Sequence, residues 1–74
     1  MKMVFVEWVD STAVSNWHDI EGANYEPVRC KSVGFVLKDG KRYLVLANTT
    51  NNDDQATQVM SIPKCCITSR REVT

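Results

Sequence analysis

The only histidine of the chain, His18, stands in "NWHDI" beside Asp19, with Glu21 close by. A histidine oriented by a carboxylate is the smallest arrangement that does general-base work. Nothing in the sequence completes it. No Ser/His/Asp order is persuasive around one histidine, and Gly22, Gly34 and Gly40 match neither of the glycine patterns that cradle phosphate groups. Cys30, Cys65 and Cys66 with His18 have the composition of a Cys₃His zinc set. Structural zinc uses ligand pairs two to four residues apart, and Cys65-Cys66 is an adjacent pair. Three cysteines also make a poor disulfide framework, and neighbouring cysteines bridge only with strain. The sequence therefore assigns no catalytic residue, no metal ligand and no cofactor, and it argues against an enzyme.

Binding chemistry is better represented. Arg29 and Lys31 alternate, Lys41 and Arg42 flank a turn, and Arg70 and Arg71 are adjacent near the end. Beside Trp17 or Tyr25, such cations would hold a phosphorylated ligand by ion pairs and stacking. The competing reading is a solvated exterior of interspersed charges. Trp8 lies in an apolar run and reads as core. Trp17 lies in an irregular polar stretch and has two readings, a plug in the end of a small barrel or an exposed anchor for a partner. His18 reads as a ligand contact, and Asp10 and Ser11 as caps of the loop that carries Trp17. The candidate surface is thus Asp10, Ser11, Trp17, His18, Tyr25, Arg29, Lys31, Arg70 and Arg71.

The elements that must position these residues are short strands. Met3 to Val9 is β-branched and aromatic, with Val4, Val6 and Trp8 on one face and Met3, Phe5, Glu7 and Val9 on the other. Both faces are largely apolar, which predicts a strand covered on much of both sides. Ala13 to Pro27 is irregular and reads as a long loop, with a short helical turn from Ser15 through Asn16, Trp17 and His18. "VRCKSVGFVLKDGKRYLVLANTT" reads as two strands, about Val28 to Lys38 and Lys41 to Asn48. Asp39-Gly40 is a tight-turn signal in which Gly supplies positive φ. Val33, Phe35 and Leu37 take one face of the first of these; Cys30, Gly34 and Val36 take the other. Gly34 marks a bend or bulge.

"NTTNNDDQATQ" is polar and without period, hence an exposed loop. "VMSIP" is a strand stopped by Pro63, "PKCCI" has room for one 3₁₀ turn, and "ITSRREV" is a last strand. In that last strand Ile67, Ser69, Arg71 and Val73 share a face. The succession predicts one all-β domain over residues 1–74: a five-stranded SH3-like barrel with a long first loop and a one-turn 3₁₀ helix before the last strand. An OB-fold is the competitor, and it wants a helix where this chain is rich in Asn and Asp.

A hydrophobic content of 43% and a charged content of 24% suit a globular domain. Seventy-four residues bury only roughly 60% of their unfolded surface, so the stability margin is thin. Lys plus Arg and Asp plus Glu are 9 each, a net charge of zero. That removes the basic surplus of a general nucleic-acid binder and the self-repulsion that opposes homo-oligomers. The start "MKMVFVEWV" is not a signal peptide, and no run approaches the length of a membrane span.

"VEWVDS", a Trp in "NWHDI", "VRCKSVGFVLKDGKRYLVLA" and "MSIPKCCITSRREV" together resemble a group of small tailed-phage and prophage proteins of about this length. These share a W-x-D-S start, a downstream Trp, a central C-x-S-V-G strand and an "IP" before the last strand. The match touches Trp8, Asp10, Ser11, Trp17, Cys30, Ser32, Val33, Gly34, Ile62 and Pro63; "CC" after Pro63-Lys64 departs from it. The resemblance implies origin and fold more than function; phage genomes carry many such small proteins as accessory factors, and a chain with no catalytic constellation fits a non-catalytic one acting in the host cytoplasm. Its partner would be a host defence protein or a small nucleotide immune signal that it sequesters. A structural or assembly protein of the phage particle, and a nucleic-acid-binding barrel, are the alternatives.

Overall fold

A computed structural model of the chain describes residues 1–11, 17–23 and 25–73. The expected helical turn at Ser15 and Asn16 lies outside the described residues. Five strands and one 3₁₀ turn form in the expected order: β1 (Met3–Asp10), β2 (Val28–Asp39), β3 (Tyr43–Thr50), β4 (Ala56–Pro63), the 3₁₀ turn η1 (Lys64–Cys66) and β5 (Ile67–Glu72). All pairings are antiparallel, and the sheet order is β4-β3-β2-β1-β5. The fold is all-β with a long first loop, as the sequence predicts. The sheet does not close into a barrel: β4 and β5 are its two edges and share no ladder.

The sheet nevertheless folds over on itself. Ser32 pairs with Val6 and Val6 with Arg70, so in a flat sheet Arg70 would lie two strands from Ser32. Asp39 is seven residues further along β2. At about 3.3 Å per residue and about 4.8 Å per strand, Asp39 and Arg70 would then be about 25 Å apart. Their side chains instead meet at 3.0 Å. β2 therefore bends back, and two irregularities accompany the bend. Gly34 is buried where β3 comes closest: a methyl group there would lie 3.0 Å from the Ala47 carbonyl oxygen and 3.1 Å from Leu46 Cβ. A bulge follows at Leu37, between the rungs Val36–Leu46 and Lys38–Val45.

The concave face of the bend is the core. Val4, Val6, Leu44, Leu46 and Ile62 are buried there, with Trp8, Val36 and Ile67 packed against them. These are the alternate positions that the period-2 pattern selects. Leu44, Ile62, Val4 and Val6 are essentially inaccessible, and each contributes roughly 1.5–3 kcal/mol by burial. The Trp8 indole N–H donates to Ser32 Oγ (3.0 Å), so the one polar atom of that ring is satisfied at the rim of the core. On the convex face Met3, Phe5 and Val9 are half-buried rather than covered, and the Arg71 guanidinium lies 5.4 Å over the Phe5 ring.

Three local expectations are corrected. The β2–β3 connection is Gly40–Arg42, closed by Gly40 N–H to the Tyr43 carbonyl (2.9 Å), and Gly22, not Gly40, is the glycine at positive φ (84°). A Cβ at Gly40 would make only ordinary contact with Tyr43 O, at 3.4 Å. Second, the polar stretch after Ala47 is mostly strand. β3 runs to Thr50, β4 begins at Ala56, and Asn51 Oδ1 accepts from the amides of Asp53 (2.9 Å) and Gln55 (3.1 Å) to make the turn. Third, a bulge between the rungs Glu7–Ser69 and Trp8–Ile67 shifts β5, so that Ile67 shares the core face with Arg70 rather than with Arg71.

Candidate functional site

The two bulges have a joint effect. Each inserts one residue and so reverses which side chains face the core from that point on. Asp39 comes to lie opposite buried Leu44, and Arg70 opposite buried Val6. Both charges thus reach the concave side. There the Asp39 carboxylate accepts from Arg70 Nη2 (3.0 Å) and pairs with Lys64 of η1. These hydrogen bonds hold the Asp39 carboxyl down from 3.8 to about 2, Arg70 contributing most and Lys64 next. One carboxylate at the end of β2 thereby ties down both η1 and β5. The η1 turn is fixed again by Lys64 N–H to the Arg42 carbonyl (2.8 Å).

That clamp sets the outer side of the hairpin end. Tyr43 pairs with Pro63, Val45 with Lys38 and with Ser61, all on the convex face. A shallow groove of about 450 Å³ lies there, lined among others by Lys38, Lys41, Arg42, Tyr43 and Val45. A second hollow adjoins it, sharing Lys41, Arg42 and Tyr43 and adding Pro63, Lys64 and Cys65. Tyr43 is half exposed. Among the described residues no carboxylate pairs with Lys38, Lys41 or Arg42. Three cations with no carboxylate partner among the described residues thus line one groove with an accessible aromatic ring, on a chain whose net charge is zero.

The residues expected from the sequence fall into three separate places. Arg70 is committed to Asp39, and Arg71 to the face of Phe5. Arg29 and Lys31 lie on β2 beside a small hollow shared with Glu7, Trp8 and Thr68, and Lys31 faces Glu7 across the ladder. The third group is in the long loop. Asp10 caps it, its Oδ1 accepting from Ser11 N–H (2.8 Å). His18 and Tyr25 meet edge-to-face at 5.7 Å between ring centres, with His18 Nε2 2.9 Å from the Tyr25 hydroxyl. That hydroxyl also lies 3.3 Å from the Ile20 carbonyl, to which it can donate. Trp17 is fully exposed (105%), as is most of Ile20, so Trp17 is not a plug. Among the described residues no hydrogen bond or ring contact joins Trp17 or Tyr25 to Arg29, Lys31, Arg70 or Arg71.

Sequence reading noted Lys41 and Arg42 but not Lys38, Tyr43 or Lys64. The usable signal was the density of cations on either side of Asp39-Gly40. Cys66 is half-buried, and burial, then its neighbour Cys65 and the charge of Asp10, push its thiol up, away from the reactive thiolate. Among the described residues no group of three or more His, Cys, Asp or Glu side chains is placed to hold a metal ion, and no helix is long and apolar enough to cross a membrane. No family model, no curated protein and no solved structure matches the chain.

Proposed function

We propose that the chain is a non-catalytic binding module for a small phosphate-bearing ligand of nucleotide type. Lys38, Lys41 and Arg42 would neutralise the phosphate and Tyr43 would carry the base. The observation behind this reading is a groove lined by three cations that have no carboxylate partner among the described residues, beside a half-exposed tyrosine. Charge-assisted contacts to phosphate are the strong class of hydrogen bond, and an aromatic face is a sequence-tolerant platform for a base. The resemblance to small phage proteins supplies the setting, a counter-defence factor that sequesters a nucleotide immune signal in the host cytoplasm.

The test is calorimetric titration of the chain with a panel of mono-, di- and cyclic nucleotides at low and moderate salt. Reversing Lys41 and Arg42 together to Glu should weaken binding by at least about tenfold per lost phosphate contact. Trp17→Ala should leave it unchanged. Equal affinity for the double variant and the parent would sink the reading. The exposed indole of Trp17, with Ile20 and Tyr25 exposed nearby, favours one second reading, docking onto a host protein. Capture of a host protein that Trp17→Ala abolishes and the Lys41/Arg42 double variant retains would select it.

A further inference from the structure

Three stretches of strand present unpaired backbone to solvent among the described residues, and they are protected unequally. The bond from Val36 N–H to the Lys2 carbonyl (2.8 Å) sets the phase of β2, so that Arg29, Lys31 and Val33 point their backbone groups away from β1. β3 pairs with β2 only from Phe35 onward, so that edge is open. It carries Arg29 and Lys31. The outer edge of β5 is broken by its bulge and carries Arg70, Arg71 and Glu72. Charges and bulges are the usual devices that keep an edge from pairing with another chain. The edge of β4 carries no charge: Ala56–Pro63 reads ATQVMSIP with Ala56 through Ser61 all exposed, and its irregularity at left-handed Gln58 leaves the rungs Ala47–Val59 and Thr49–Thr57 in one register.

The phase of β4 follows in the same way. Gly40 N–H bonds the Tyr43 carbonyl and Lys64 N–H bonds the Arg42 carbonyl. Tyr43 and Val45 therefore bond toward β2, while Leu44 and Leu46 bond toward Ile62 and Met60 of β4. Thr57, Val59 and Ser61 are left with N–H and C=O groups directed outward. Gln58 between them has a left-handed backbone (φ 52°), and no rung joins it to Asn48.

We propose that β4 is the pairing edge of a homodimer, in which two copies join antiparallel through Thr57–Ser61 about a twofold axis at Val59. The edge is self-complementary in that register. Val59 faces Val59 of the second copy, and Thr57 faces Ser61 twice. No like charges oppose one another in this register. The alternative self-pairing through β2 centred on Lys31 would set lysine against lysine. A net charge of zero adds no long-range repulsion. The dimer joins two five-stranded sheets into one of ten strands. Tyr43 lies one strand in from β4 and level with Pro63.

This inference is independent of the ligand reading, because its readout is mass. Sedimentation equilibrium of the full chain at roughly 100 μM should give twice 8.4 kDa, with dissociation on dilution. Val59→Lys places two lysines opposite one another at the axis and should shift the equilibrium toward monomer, with a dissociation constant raised about tenfold. Val28→Lys, an equally exposed valine at the start of β2, should remain dimeric. Amide exchange supplies the second measurement: Val59 and Ser61 should be protected in the parent and less protected in Val59→Lys, while core amides such as Leu44 stay protected in both. A monomeric parent, or a Val59→Lys variant as dimeric as the parent, overturns the proposal. A dimer whose Val59 and Ser61 amides exchange freely overturns it too.

Discussion

Gly34→Ala isolates the close approach on which the fold depends. The added methyl would meet the Ala47 carbonyl oxygen at 3.0 Å and Leu46 Cβ at 3.1 Å, inside ordinary contact by several tenths of an ångström. Neither neighbour yields easily. Ala47 forms the Phe35 rung of the β2–β3 ladder, and Leu46 is a buried core residue. Overpacking of this kind costs about 1–3 kcal/mol. An opposing term exists, because alanine restricts the unfolded chain and returns about 0.4–1 kcal/mol where the backbone is compatible. It is compatible here, since Gly22 is the glycine at positive φ. The net expectation is a loss of about 1–2 kcal/mol from a total of roughly 4–11 kcal/mol for a domain of 74 residues. Tm should fall by roughly 5–15 °C.

The assay is urea unfolding followed by tryptophan emission in a Trp17→Phe background. Trp17 is solvated in the native state, whereas Trp8 packs against the core. Gly34→Ala should lower the urea midpoint at unchanged slope, and Gly34→Val should lower it further. A midpoint at or above the parent's would refute the argument that β2 and β3 touch too closely for any side chain.

Two further outcomes follow from the same geometry. Asp39 titrates at about 2 when folded, against 3.8 for the ordinary group, so its share of stability is complete above about pH 4 and is lost as the pH falls toward 2. Asp39→Asn should therefore be less stable than the parent at pH 7, and the difference should shrink between pH 4 and pH 2; parallel stability curves through that window would exclude the clamp. Ser32→Ala leaves the Trp8 indole N–H without its acceptor and should cost about 1–2 kcal/mol in urea unfolding, with Ser32→Thr losing less; an unchanged midpoint for Ser32→Ala would mean that the bond carries no stability.

Alternation of apolar residues was enough to place Val4, Val6 and Trp8 of β1, Val36 of β2, Leu44 and Leu46 of β3 and Ile62 of β4 on one face, because burial on one side of a strand enforces period 2. It was not enough beyond Leu37 or before Ser69. A bulge inserts one residue and reverses the count, and neither Leu37 nor Thr68 carries a residue type that announces one. The charged residues that the reversal turns inward, Asp39 and Arg70, are those a strict alternation misassigns. Lys38 was hidden for the same reason, since without the bulge it would share the core face with Val36. Polar Asn48–Thr50 and Ala56–Gln58 gave no strand signal because most of both faces of that part of the hairpin is solvated. The exposure of Trp17 was left open by its polar neighbours, whose hydrogen bonds suit a buried loop and a solvated one equally.

The pairing of β1 with β5 has a consequence during synthesis. β2, β3 and β4 are joined by short turns and find one another locally, but β1 has one of its two neighbours, β5, beyond all three of them in the chain. At about 5–20 residues per second, Val4, Val6 and Trp8 remain incompletely covered for several seconds while the intervening chain is translated. The order of emergence, more than the strength of any single contact, decides how long the nascent chain shows its apolar face to the rest of the cell.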